Sequence, residues 1–173
     1  LVAGVTTLLI FMYHGAVFLS LKTEGIIEER AFKIAKPLGI CSIICSVILV
    51  ILTYFQTDLF ISKLAVASII GAFILLALSS FLMYQRKSKL AMLFNGLSIA
   101  LSIAALFLGL FPRVMVSNIN PAYSLTITNA SSSANTLLLM SKVALIFVPI
   151  VLIYQIWSYW IFRKRVTTKD LEY

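Results

Sequence analysis

Leu64-Ala65-Val66-Ala67-Ser68-Ile69-Ile70-Gly71-Ala72-Phe73-Ile74-Leu75-Leu76-Ala77-Leu78-Ser79-Ser80-Phe81-Leu82-Met83-Tyr84-Gln85 is the stretch that decides the fold, because it contains no charged side chain. A hydrocarbon layer of about 30 Å needs about 20 helical residues to cross it, and in lipid each backbone polar group must be satisfied within its own segment. This run therefore predicts a membrane-spanning helix. Outward from it, uncharged runs recur at residues 1–21, 38–57, 90–112 and 143–162. Across the 173 residues, 61% are hydrophobic and 12% charged, about half the charge of a soluble domain. The expected fold class is all-α: a polytopic membrane protein with five transmembrane helices, a four-helix bundle plus one further helix. The helices are placed at about 1–22, 37–57, 63–85, 89–112 and 137–162, with a polar loop at 113–136 and a tail at 163–173.

The basic residues set the orientation, since cytoplasmic loops near helix ends are enriched in Lys and Arg. The first connection carries Lys22, Arg30, Lys33 and Lys36, the third carries Arg86, Lys87 and Lys89, and the tail carries Arg163, Lys164, Arg165 and Lys169. The opposite side has Lys63 and Arg113, with Lys142 near the start of the last helix. The C-terminus is thus expected in the cytoplasm and the 113–136 loop outside. The net charge of +8 sits in juxtamembrane loops, where anionic lipid headgroups attract it, so membrane lipid is an expected partner and nucleic acid is not.

Local signals refine the elements. Lys36-Pro37 reads as a helix start, because proline lacks only an N–H that is unpaired in a first turn. The Gln85 to Lys89 turn is short enough to make its two helices antiparallel neighbours. Ser133 or Asn135 is expected to cap the last helix, and Pro149 to kink it where it packs on partners. Small residues at Gly71, Ala72, Gly96, Ser98, Ser102, Ala104 and Ala105 permit close helix approach. Tyr54, Phe55, Phe81 and Tyr84, and above all Tyr154, Trp157, Tyr159 and Trp160, read as interfacial anchors.

Few residues carry chemistry. Glu24, Glu28, Glu29, Asp58, Asp170 and Glu172 all fall in connections or the tail, which counts against a proton relay through the spans, since buried acids are the usual carriers. No catalytic residue and no metal site are assigned. His14, the single histidine, is the one candidate for cofactor binding: its imidazole suits either a haem axial ligand or an interhelical hydrogen bond, and the second is favoured. Cys41 and Cys45 stand one turn apart but have no companion ligand, so they read as buried apolar side chains. The sequon at Asn129-Ala130-Ser131 carries no weight in a Ser-rich loop.

The stretch His14-Gly15-Ala16-Val17-Phe18-Leu19-Ser20-Leu21-Lys22-Thr23-Glu24-Gly25 resembles a motif of cytochrome bd quinol oxidase subunit II. Phe111-Pro112, Ser117, Ser124-Leu125-Thr126, Asn129-Ala130-Ser131-Ser132, Val148-Pro149 and Tyr154-Gln155-Ile156-Trp157-Ser158-Tyr159-Trp160 follow in the order of that family, and Lys169-Asp170-Leu171 extends the likeness into the tail. The resemblance implies a subunit of about nine helices, of which residues 1–173 are the C-terminal half. The opening at Leu1 inside a hydrophobic run agrees with an N-terminal half upstream. It further implies a haem-bearing subunit I as partner, holding two b-type haems, haem d and the quinol site, with no cofactor on this chain and room for a small single-helix subunit. The implied function is support of an oxidase that reduces oxygen to water with electrons from quinol and generates a proton gradient without pumping, in the plasma membrane of a bacterium. From the residues alone, a fragment of a small-molecule transporter is the second reading, and a haem protein ligated by His14 the third.

Overall fold

The computed structural model of the chain describes residues 1–117 and 119–165, so Lys169, Asp170, Leu171 and Glu172 lie outside the described residues. Five long helices carry it: α1 (Val2–Lys22), α2 (Ile26–Gln56), α3 (Lys63–Tyr84), α4 (Ser88–Leu110) and α5 (Ala134–Ile161). All five are long and apolar enough to cross a membrane. Serine and threonine, poor formers of helix in water, are accommodated because their hydroxyls bond back one turn: Thr7 to Ala3 O, Thr53 to Leu49 O, Ser68 to Leu64 O and Ser141 to Leu137 O, all at 2.7–2.9 Å.

The described residues form two compact units, Leu1–Gly109 and Leu110–Arg165. In the first, α1 to α4 enclose a core of Tyr13, Val17, Phe32, Ala35, Leu76, Leu82, Met83 and Ala91. The helices approach closely where side chains are small. Ser98 Oγ donates to Ala72 O at 2.7 Å, and a Cβ on Gly39 would stand 2.7 Å from Ser80 Oγ and 3.2 Å from Tyr13. The expected small-residue contact is met at Ala72, Ser98 and Ala105, all buried, whereas the space beside Gly96 is open.

Helix α2 departs from expectation. It begins at Ile26, not at Pro37, and runs unbroken through the proline. Two facts account for this. Gly25 takes φ +72°, a conformation open to glycine, so the chain reverses within three residues of α1. Ala31, Phe32 and Ala35 then bury one face of the new helix, and packing outweighs the single backbone bond that Pro37 forfeits to Lys33. The apolar span still begins near Pro37; the eleven residues before it carry Glu28, Glu29, Arg30, Lys33 and Lys36.

The α3–α4 turn closes tightly. Arg86 adopts φ +57°, and Lys87 N–H donates to Leu82 O at 3.0 Å and Arg86 N–H to Met83 O at 3.2 Å, the paired bonds that end a helix at a left-handed residue. Arg86 binds both carboxylate oxygens of Glu29, at 2.5 and 3.0 Å, and stacks its guanidinium over Phe32 at 5.2 Å.

In the second unit, the 113–136 connection contains a short antiparallel pair, β1 (Arg113–Met115) and β2 (Leu125–Thr126), with a bulge between its two registered positions. Asn129 ties it together: its Oδ1 accepts from Thr126 N–H at 2.6 Å and its Nδ2 donates to Ser124 O at 3.3 Å. Helix α5 starts at Ala134, three residues earlier than expected, capped by Ser133, whose Oγ accepts from Thr136 N–H at 3.4 Å. Pro149 lies inside α5. At its far end Arg163 sits over the Trp160 ring at 4.6 Å, and Tyr154 lies 6.4 Å from Trp157.

Candidate functional site

A seam of uncharged polar side chains threads the first unit. Near the end that carries the basic turns, Ser20 of α1 donates to Ser88 of α4 at 3.0 Å. Toward the middle of the bundle, Tyr13 of α1 meets Ser79 of α3 at 2.9 Å, and Ser79 Oγ donates onward to Ala91 O of α4 at 2.8 Å. Asn95 of α4 is wholly buried and its Nδ2 lies 3.0 Å from His14 Nδ1. Further along, Thr6 Oγ1 reaches Cys45 O of α2 at 3.3 Å as well as Val2 O of its own helix. In an apolar medium each of these hydroxyls and amides needs a partner, and pairing them across helices fixes the rotation of each helix against its neighbours.

The seam is not fully satisfied. Among the described residues, Ser42 Oγ and Asn95 Oδ1 are buried without a hydrogen-bond partner. Beyond Ser98 the bundle opens into a cavity of about 230 Å³ lined by Thr6, Thr53, Ser98, Ser102, Phe11 and Phe73 among others. None of its lining residues is charged, and none is histidine, cysteine or methionine.

His14 is brought to this seam as a half-buried group held by Asn95. The Asn95 amide and His14 Nδ1 form one hydrogen bond across the bundle, with the direction set by the ring's tautomer. Among the described residues no three of His, Cys, Asp and Glu cluster. Cys41 is exposed and Cys45 half-buried, both free thiols. The expectation that both are buried fails for Cys41, which lies on the outer face of α2 beside exposed Ile40 and Ile44: in a membrane an apolar side chain is removed from water without being enclosed by protein.

Tyr13, Ser20, Ser79, Ser88 and Asn95 were not singled out in the sequence. Their signal was spacing: Tyr13 and Ser20 stand seven residues apart, as do Ser88 and Asn95, which puts each pair on one helix face.

Fold and seam together define a multi-pass membrane protein whose apolar core is crossed by hydroxyls and amides and, among the described residues, buries no Lys, Arg, Asp or Glu. The chain belongs to the cytochrome bd terminal oxidase subunit II family, whose profile matches residues 1–162, and that family is one of respiratory terminal oxidase subunits. It is 36% identical over 172 residues to cytochrome bd ubiquinol oxidase subunit 2 of Bacillus subtilis, covering 98% of this chain and 51% of that protein. It is 40% identical over 86 residues to cytochrome bd-I ubiquinol oxidase subunit 2 of Escherichia coli K12, covering 50% of this chain and 23% of that protein. A probable cytochrome oxidase subunit 2 of Haemophilus influenzae is 29% identical over 189 residues, 92% of this chain and 50% of that protein. The chain thus spans about half the length of the first of these relatives. The transporter reading finds no support among them.

Proposed function

We propose that these residues are the rear half of subunit II of a bacterial quinol-oxidising, oxygen-reducing terminal oxidase, and that they support the chemistry of a neighbouring subunit without performing it. The observation that carries this reading is the family match along residues 1–162. The interior agrees with it: the seam joins helices by hydroxyls and amides and offers no acid to relay protons.

On this reading the two b-type haems, haem d and the quinol site belong to subunit I, and the proton gradient arises from the sidedness of quinol oxidation and oxygen reduction. His14 is a structural hydrogen-bond partner of Asn95. Subunit I, the N-terminal half of subunit II, membrane lipid and a small single-helix subunit are its neighbours. The protein lies in the bacterial cell membrane with α1 running from outside to inside and the C-terminus cytoplasmic, as eleven basic residues on one side against three on the other favour. Affinity purification of the full-length protein from native membranes tests it: a larger haem-containing subunit is expected to co-purify, and isolation as a lone haem-free protein would contradict the proposal.

A further inference from the structure

Between α1 and the first turns of α2 lies a second opening, a groove of about 460 Å³. Its apolar walls are Met12, Leu19, Ile27, Ile34 and Leu38, and its floor is Gly15, beside which a Cβ would meet nothing within 4 Å. Met12, Leu19, Ile27 and Ile34 are about half exposed, so the groove faces outward. Because α1 and α2 are antiparallel, it runs in one direction, from Leu19 and Ile27 at the polar end of the bundle to Met12 and Leu38 in the hydrocarbon layer.

Among the described residues Arg30 is the one charged residue lining the groove, and it stands at the polar lip. Its near neighbour in sequence, Glu29, is taken by Arg86, and among the described residues Arg30 makes no hydrogen bond or ion pair. A guanidinium at a membrane interface with no carboxylate of its own matches an anion with several oxygens. An apolar trough that leads from that cation into the membrane matches an acyl chain attached to the anion.

We propose that this groove binds one anionic phospholipid of the leaflet on the side of the basic turns, its phosphate on Arg30 and one acyl chain laid along Gly15 toward Met12 and Leu38. The inference rests on the groove and its charge and is independent of the oxidase reading.

The full-length protein, in whatever assembly it purifies with, is reconstituted into nanodiscs of phosphatidylglycerol and phosphatidylcholine, delipidated stepwise and weighed by native mass spectrometry. One basic residue at a lipid surface is worth roughly a fivefold preference, so the last retained lipid is expected to be phosphatidylglycerol by about that factor. Arg30→Gln is expected to abolish the preference, and Gly15→Leu, which fills the floor, to release both lipids early. Lys89→Gln, an exposed cation elsewhere on the same side, is expected to change nothing. An undiminished preference in Arg30→Gln would overturn the proposal, as would wild-type retention in Gly15→Leu with an unchanged melting profile. So would a photo-crosslinker at position 15 that captures protein in place of lipid.

Discussion

Asn95 shows how an apolar helix can be fixed by one amide. Its Nδ2 holds His14 across the bundle at 3.0 Å while its Oδ1 is buried with no partner among the described residues. Asn95→Ala is expected to destabilise the protein by about 1 kcal/mol, since it deletes a hydrogen bond of modest net worth in a membrane interior and leaves a gap. Asn95→Leu fills the volume and removes the orphan oxygen, so it is expected to cost less; thermal denaturation in detergent ranks the two, and a larger loss for Leu would contradict this account. Gly109 makes a steric argument of the same size. A Cβ there would collide with Leu59 Cγ, an atom held in a buried side chain. Gly109→Ala is therefore expected to lower the melting temperature, at a cost of about 1–3 kcal/mol for an overpacked site, and Leu59→Ala in the same chain to recover part of it. None of these pairings was visible in the residues read singly. A polar side chain in an apolar span announces only that it needs a partner; which partner depends on helix rotation.

At the scale of the element, the spans were readable because the bilayer imposes a length on an uncharged run, and α1, α3 and α4 end within three residues of where charge returns. The start of α2 was not. Proline suits a first turn and inside a helix costs a backbone bond, and the second was chosen because Ala31, Phe32 and Ala35 find the core. The β1–β2 pair leaves no pattern in the sequence because strands of three and two residues have no alternation; the polar residues Ser124 and Asn129 that bind it are its signal. The extension of α2 is pinned by Glu29 and Arg86, and the hydrogen bond from Arg86 holds the Glu29 carboxyl below its ordinary value of 4.5. A depressed carboxylate contributes stability that is present in full above its unfolded value and is lost as the pH falls through its folded value. Both groups are exposed, so the effect is small and screened by salt. Wild type is expected to lose more stability than Glu29→Gln as the pH is lowered through and below 4.5 in low salt, and the difference to vanish in high salt. Parallel acid profiles of the two proteins would count against the pairing.

At the scale of the molecule, composition, the block pattern of charge and a dozen family residues were enough to place the chain in its family, because membrane proteins carry their topology in hydropathy. What they withheld was the interior, where Tyr13, Ser79, Asn95 and His14 join three helices, α1, α3 and α4. This interior bears on the central claim, that the chain supports redox chemistry and does not host it. The direct test is the visible absorption spectrum, with subunit composition, of the complex purified through the full-length protein, compared between wild type and His14→Ala. The account predicts b- and d-type haem bands that travel with a larger subunit and are unchanged per complex in His14→Ala. Haem bound to this chain in the absence of that subunit, and lost in His14→Ala, would contradict it.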